Sequence, residues 1–201
     1  WPISSPSDWR LGSRLMSCIP VLEGDRLRLR EHRAEDLDDY TTLWSDHDVV
    51  RHIGGRPLGR SECWARILRF RGMWALLGFG FWIIEDRHSG CLIGEAGIMD
   101  LRREIEPSLE GSLEAGWVLR PDLHGQGLAG EAMNLVLSWT DCHHPSIPLS
   151  CIIAEGNDPS MRLAAKLGFD RSSEGDYQGS QLVHFRRKPR VEGIGAPASS
   201  C

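Results

Sequence analysis

The chain has 201 residues, 41% of them hydrophobic and 25% charged, with a formal net charge of −5. That length fits one domain with its own core, and an acidic balance without a dense Lys/Arg run argues against a nucleic-acid partner. No apolar run approaches the roughly 20 residues of a membrane-spanning helix, and the first 19 residues lack a secretory leader's apolar stretch, so a cytoplasmic chain without membrane contact is expected.

Residues 1–20 mix Ser, Pro and isolated apolar side chains and read as a flexible N-terminal arm. The folded domain is expected over 21–188, followed by a flexible tail at 189–201. Leu and Arg alternate over 26–30, the period of a half-buried strand. Leu37, Tyr40, Thr41 and Trp44 recur at helical spacing. A longer helix is expected after Ser61 as N-cap, with Trp64, Ile67, Leu68 and Ala75 on its inner stripe. The apolar runs 79–85 and 91–101 flank Asp86-Arg87-His88-Ser89-Gly90 and predict a hairpin.

Leu113–Leu119 reads as the next strand. Ala129, Ala132, Met133, Val136, Leu137 and Thr140 then line one face of a helix that ends near His143-His144-Pro145. Leu149–Ala154 has the composition of a buried strand. Asn157 or Asp158 caps a further helix, Gly168 stops it, and two short strands at 169–173 and 181–186 close the chain. The order β-α-α-β-β-β-α-β-α-β-β predicts an α+β domain, a mixed sheet with helices on its faces. An exposed final strand would let two copies pair as a homodimer. The six cysteines form no CxxC pair, so free thiols are expected.

The most informative stretch is Leu119-Arg120-Pro121-Asp122-Leu123-His124-Gly125-Gln126-Gly127-Leu128-Ala129-Gly130. Glycines between a strand and a helix let backbone approach a ligand, and the first helical amides have no internal partner, so an anion such as a pyrophosphate docks there. Gly125-x-Gly127-x-x-Gly130 formally matches the dinucleotide fingerprint, with Glu155 as a ribose ligand. Four residues intervene between strand and glycine, however, and too little chain follows for further βα units. A Walker loop is excluded because no Gly-Lys-Ser/Thr follows. Cys142-His143-His144 with Cys151 has irregular spacing for zinc, and no metal is expected.

The whole stretch from Glu114 to Phe169 resembles the GNAT superfamily of acetyl-CoA-dependent N-acetyltransferases, and the likeness extends over about 22–187. His124-Gly125-Gln126-Gly127-Leu128-Ala129 is similar to the family's Arg/Gln-x-x-Gly-x-Gly/Ala, with His in the first position. Asn157-x-x-Ser160 followed by Lys166-Leu167-Gly168-Phe169 is similar to its second motif, in the form of the ribosomal-protein N-terminal acetyltransferases (RimJ/RimL-like). Ala164 stands where many members carry an acidic Tyr.

The resemblance implies the acyl-CoA N-acyltransferase fold, a sheet splayed at its centre, with acetyl-CoA as cosubstrate. It implies that Trp117, Val118 and Leu119 pair with pantetheine, that Gly125 to Ala129 hold the pyrophosphate behind His124, and that Asn157 and Ser160 meet the arm near the sulfur. Direct attack by a primary amine, on a small molecule or a protein N-terminus, needs a base, an oxyanion donor and an acid. Glu95 and Glu114 are the candidate bases, a backbone amide near Val118 the donor, and Ser160 the acid, with Tyr177 behind it. The acidic run Glu104, Glu106, Glu110 and Glu114 would attract cationic amines. A chain that keeps the loop but lacks the acid would instead be a non-catalytic acyl-CoA-binding module.

Overall fold

A computed structural model describes residues 19–190 apart from Gln178. The expected arm, except its last two residues, and the tail beyond Arg190 lie outside the described residues. One eight-stranded sheet runs in the order β1-β2-β3-β4-β5-β6-β8-β7. Its strands are β1 Leu22–Glu23, β2 Leu27–Arg30, β3 Phe81–Asp86, β4 Leu92–Met99, β5 Leu113–Leu119, β6 Leu149–Ala154, β7 Asp170–Tyr177 and β8 Ser180–Arg187. The helices among the described residues are α1 Leu37–Ser45, α2 His47–Val50, α3 Arg60–Leu77, α4 Leu128–His143 and α5 Asp158–Lys166.

The mixed α+β sheet is therefore as expected, with β1 and α2 added; both are too short to show a period. The final hairpin is longer than expected. Its edge strand β7 reads Asp-Arg-Ser-Ser-Glu-Gly-Asp-Tyr, mostly exposed, and so carries no apolar alternation.

All neighbouring strands are antiparallel except β5 and β6. That parallel pair has only the rungs Leu113↔Leu149 and Glu114↔Ser150. Beyond them the strands part, while β5 stays paired to β4 as far as Leu119↔Gly94 and β6 to β8 as far as Ala154↔Leu182. The splay is thus a local opening between two well-anchored strands.

Alternation along the strands feeds two cores. Ile83, Leu92 and Val118 pack with Tyr40, Trp44, Cys63 and Ile67 beneath α1 and α3. On the other face Trp82, Ala96, Ile98 and Ala115 pack with Ala132, Met133 and Val136 of α4. The helical stripe of α3 differs from expectation. Its N-cap is Gly59, and Cys63, Ile67, Phe70, Met73 and Trp74 are the buried residues. Phe70 stacks on Phe81 at 4.6 Å, which rotates Trp64 and Leu68 outward, to 37% and 52% exposure. Trp74, Trp82 and Trp139 meet edge to face at 4.7–5.4 Å and belong to the core.

Cys63, Cys91 and Cys151 are free thiols, but Cys142 is disulfide-bonded, which corrects the all-thiol expectation. Sequence spacing does not reveal which sulfurs meet in space. No helix among the described residues is long and apolar enough to cross a membrane.

Gly97 shows how tightly β3 and β4 pack. A Cβ there would lie 2.4 Å from the Gly80 carbonyl oxygen and 2.5 Å from the Phe81 Cα. Backbone cannot swing aside as a side chain can, so Gly97→Ala is expected to cost about 1–3 kcal/mol, read as a lower urea midpoint at unchanged m-value.

Candidate functional site

The turn after β5 is shaped for an anion. Arg120 leads into a short 3-10 turn, Pro121–Leu123, and Gly125 and Gly127 then adopt φ of 77° and 79°. These left-handed values are costly for any residue with a Cβ. Glu131 N–H is the first to bond back within the helix, to the Gly127 carbonyl at 3.1 Å. No amide from Gly125 to Gly130 donates to a protein group among the described residues. Six consecutive N–H groups at the positive end of a 16-residue helix have the geometry that suits an anion.

Side chains hold that turn in place. The His124 ring nitrogen Nε2 lies 3.1 Å from the Leu119 carbonyl oxygen. Arg26 Nη1 donates to the Gln126 carbonyl at 3.0 Å, and its Nε donates to Glu131 at 2.8 Å. Leu128 is buried beneath the turn and Ala129 half-buried.

Asn157 and Ser160 stand at the start of α5, just beyond the end of β6. Asn157 is the N-cap, its Oδ1 accepting from Ser160 N–H at 3.4 Å. A Cβ on Gly130 would touch Leu163 at 3.7 Å, so the starts of α4 and α5 are neighbours. The glycine turn, the open edge of β5 from Trp117 to Leu119, and the Asn157–Ser160 turn therefore gather at one end of the parted strands. Ala164 is fully buried in the core, and its methyl group offers no proton donor.

The two carboxylates are arranged differently. Glu95 on β4 lies directly across from Val118 and is fully buried. It accepts from Tyr40 Oη at 2.5 Å and Arg66 Nη2 at 2.6 Å, and His32 Nε2 stands 3.3 Å away. Burial alone would raise its carboxyl, but the Arg66 charge and hydrogen bonds from His32 and Arg66 outweigh this and hold it down at about 2. Burial, with the Glu95 charge, raises the Tyr40 phenol well above its usual value. Glu114 forms the last rung before the strands part and pairs with Arg103 Nε at 2.8 Å. Of the acidic run, Glu114 is buried and ion-paired, while Glu104, Glu106 and Glu110 are exposed.

No sequence motif marks Tyr40, Arg66, His32 or Arg103 for chemistry. Tyr40 shows in the sequence only as one apolar position of a helical stripe. Its partner Glu95 is 55 residues away, and no local pattern encodes that pairing.

Comparison with known proteins gives the same picture. The family model of the acetyltransferase (GNAT) domain matches residues 26–170. A GnaT-family acetyltransferase structure from Bordetella pertussis is 32% identical, with a TM-score of 0.75 over 84% of this chain and 99% of that one. The uncharacterized N-acetyltransferase YoaA of Bacillus subtilis is 26% identical over 76% of this chain and 84% of its own length. The ribosomal L7/L12 α-N-protein acetyltransferase RimL, solved with coenzyme A, shares the fold at a TM-score of 0.71, 12% identity, and coverage of 86% and 100%. With the splayed sheet and the amide-lined turn already in view, the chain belongs to the GNAT family of acetyl-CoA-dependent N-acetyltransferases.

Proposed function

We propose that this enzyme binds acetyl-CoA with its pyrophosphate on the amides of Gly125 to Ala129 and its pantetheine arm along Trp117, Val118 and Leu119. The single observation that carries the reading is the β5–β6 opening, two rungs long at its root, with six unpartnered amides at its mouth. An anion with an extended amide-bearing arm fits both features. The bound cosubstrate supplies an acetyl group activated as a thioester.

The chain's own groups do the rest. Pairing with β4 at Glu95↔Val118 fixes β5, so an amide near Val118 is preorganised as oxyanion donor. Asn157 holds the α5 turn against the arm, and the Ser160 hydroxyl, half-buried at the first turn of α5, donates a proton to the departing thiolate. Glu114, at the last rung before the strands part, and the buried Glu95 behind Val118 act as fixed charges that stabilise the acceptor's ammonium, and solvent water at the mouth of the opening takes its proton. A carboxyl held near 2, as Glu95 is, stays anionic at neutral pH and serves to orient Tyr40 and Arg66. Holding amine and thioester together supplies much of the rate. We place the acceptor on the α1/α3 face, among primary amines of small molecules or peptide N-termini, as in the RimJ/RimL-like branch that the Asn157-x-x-Ser160 motif resembles.

Coenzyme A release with a panel of amines tests this directly. Ser160→Ala should lower kcat about 100-fold and weaken coenzyme A binding far less. Unchanged turnover would remove Ser160 as the acid. Tight coenzyme A binding with no turnover on any amine would favour a non-catalytic acyl-CoA-binding module.

A further inference from the structure

Three guanidinium groups approach the acceptor face, and their charges are used unequally. Arg66 is spent on Glu95 and Arg103 on Glu114. Arg69, one turn after Arg66 on α3, has no carboxylate partner and no hydrogen bond among the described residues. Three cations therefore face two anions, and the surplus charge resides on Arg69.

Arg69 is exposed, and its guanidinium leans towards the core side of α3. The guanidinium carbon of Arg69 lies 5.5 Å from the centre of the Phe70 ring. Phe70 stacks on Phe81, whose ring tip occupies the space a Cβ would take on Gly116, at 2.9 Å. Gly116 follows the last β5–β6 rung by two residues. This relay sets Arg69 above β5 where the strands begin to part. Arg103, 5.3 Å from the Tyr177 ring, marks the other flank on the final hairpin. Although the residue is exposed, crowding around its guanidinium, then the charges of Arg66 and Arg103, lower the pKa of Arg69, against Tyr40 and Glu95. A cation held at such a place without a counter-charge is complementary to an anionic ligand group.

We infer that Arg69 selects acceptors in which the primary amine is accompanied by a nearby carboxylate, either an acidic side chain close to a peptide's N-terminus or the carboxylate of an amino-acid-like small molecule. This rests on the acceptor entering over the α1/α3 face. The carboxylate pairs with the planar fork of Arg69 while the amine reaches the thioester, and matched acceptors with a cationic group are repelled.

The test compares three peptides that differ only at the second residue, Glu, Gln or Lys, and one free amino acid with its amide. Coenzyme A release is measured for the wild type, Arg69→Ala and Arg69→Lys. Wild type should prefer Glu over Gln by about tenfold or more in kcat/KM, the effect of one charge-assisted hydrogen bond. Arg69→Ala should bring that ratio close to one, and Arg69→Lys should restore part of it. A preference for the free amino acid over its amide, but not for the Glu peptide, would identify the small-molecule source. Calorimetry of the coenzyme A-loaded protein with the N-acetylated products reads the same ratios without turnover. Silent turnover with preserved ratios in calorimetry would strike the activity and leave this inference standing. Wild-type ratios of one for both the Glu/Gln peptides and the amino acid and its amide, by turnover and by calorimetry, or ratios unchanged in Arg69→Ala, overturn it.

Discussion

Replacing Gly127 with valine is expected to raise the dissociation constant for coenzyme A by about tenfold or more, measured by calorimetry. Gly127 caps α4 with φ 79°, a conformation that a β-branched residue adopts only as an outlier. The site consists of amide directions, so a turn that relaxes by a few tens of degrees no longer aims its N–H groups at one anion. Space is not what forbids the side chain, because the nearest atom to a Cβ there is Arg26 Nη2 at 3.7 Å. The fold should therefore survive at a cost of about 1–2 kcal/mol. A folded variant with unaltered affinity would show that the pyrophosphate does not sit on this turn.

The largest effect on stability is expected from Arg66→Ala. Arg66 is the cation of the buried Glu95 cluster and also lies 4.0 Å over the Trp44 ring. Removing one partner of such a pair leaves an uncompensated charge and costs about 3–5 kcal/mol. The pH profile identifies the cause. In the wild type the Glu95 carboxyl is held at about 2, below its usual 4.5, so its contribution is complete above pH 4.5 and is lost as pH falls towards 2. In Arg66→Ala burial acts unopposed by Arg66 and pushes that carboxyl upward, so acidification from pH 7 to pH 5 should reduce the penalty of the mutation. Urea titrations of both proteins at the two pH values measure this. A penalty that stays constant or grows on acidification would mean that Glu95 is not the group left exposed to the loss.

The parts of the fold that the sequence makes legible are those encoded by neighbours along the chain. In α4, five of the six buried positions are those of the expected stripe, because each is set by the same 3.6-residue period. The glycine turn shows itself because it needs residues without a Cβ at fixed offsets. Asn157 as a cap follows from its hydrogen bond to an amide three residues on. The α3 stripe is mistaken at Trp64 because hydrophobicity alone cannot choose between two adjacent apolar faces; the stacking of Phe70 on Phe81 decides it. The charge cluster around Glu95 is illegible for a different reason. Its members come from β4, α1, α3 and the segment after β2, and electrostatic complementarity between distant segments leaves no periodic trace.

A sheet fastened at its middle by two rungs is mechanically two panels, five strands wide and three strands wide. An inserted arm that bonds to both panels would act as a removable ninth member, stiffening the seam. Loading would then be linked to cohesion: cosubstrate should protect amides on both sides of the seam from solvent exchange and raise the melting temperature together with its concentration.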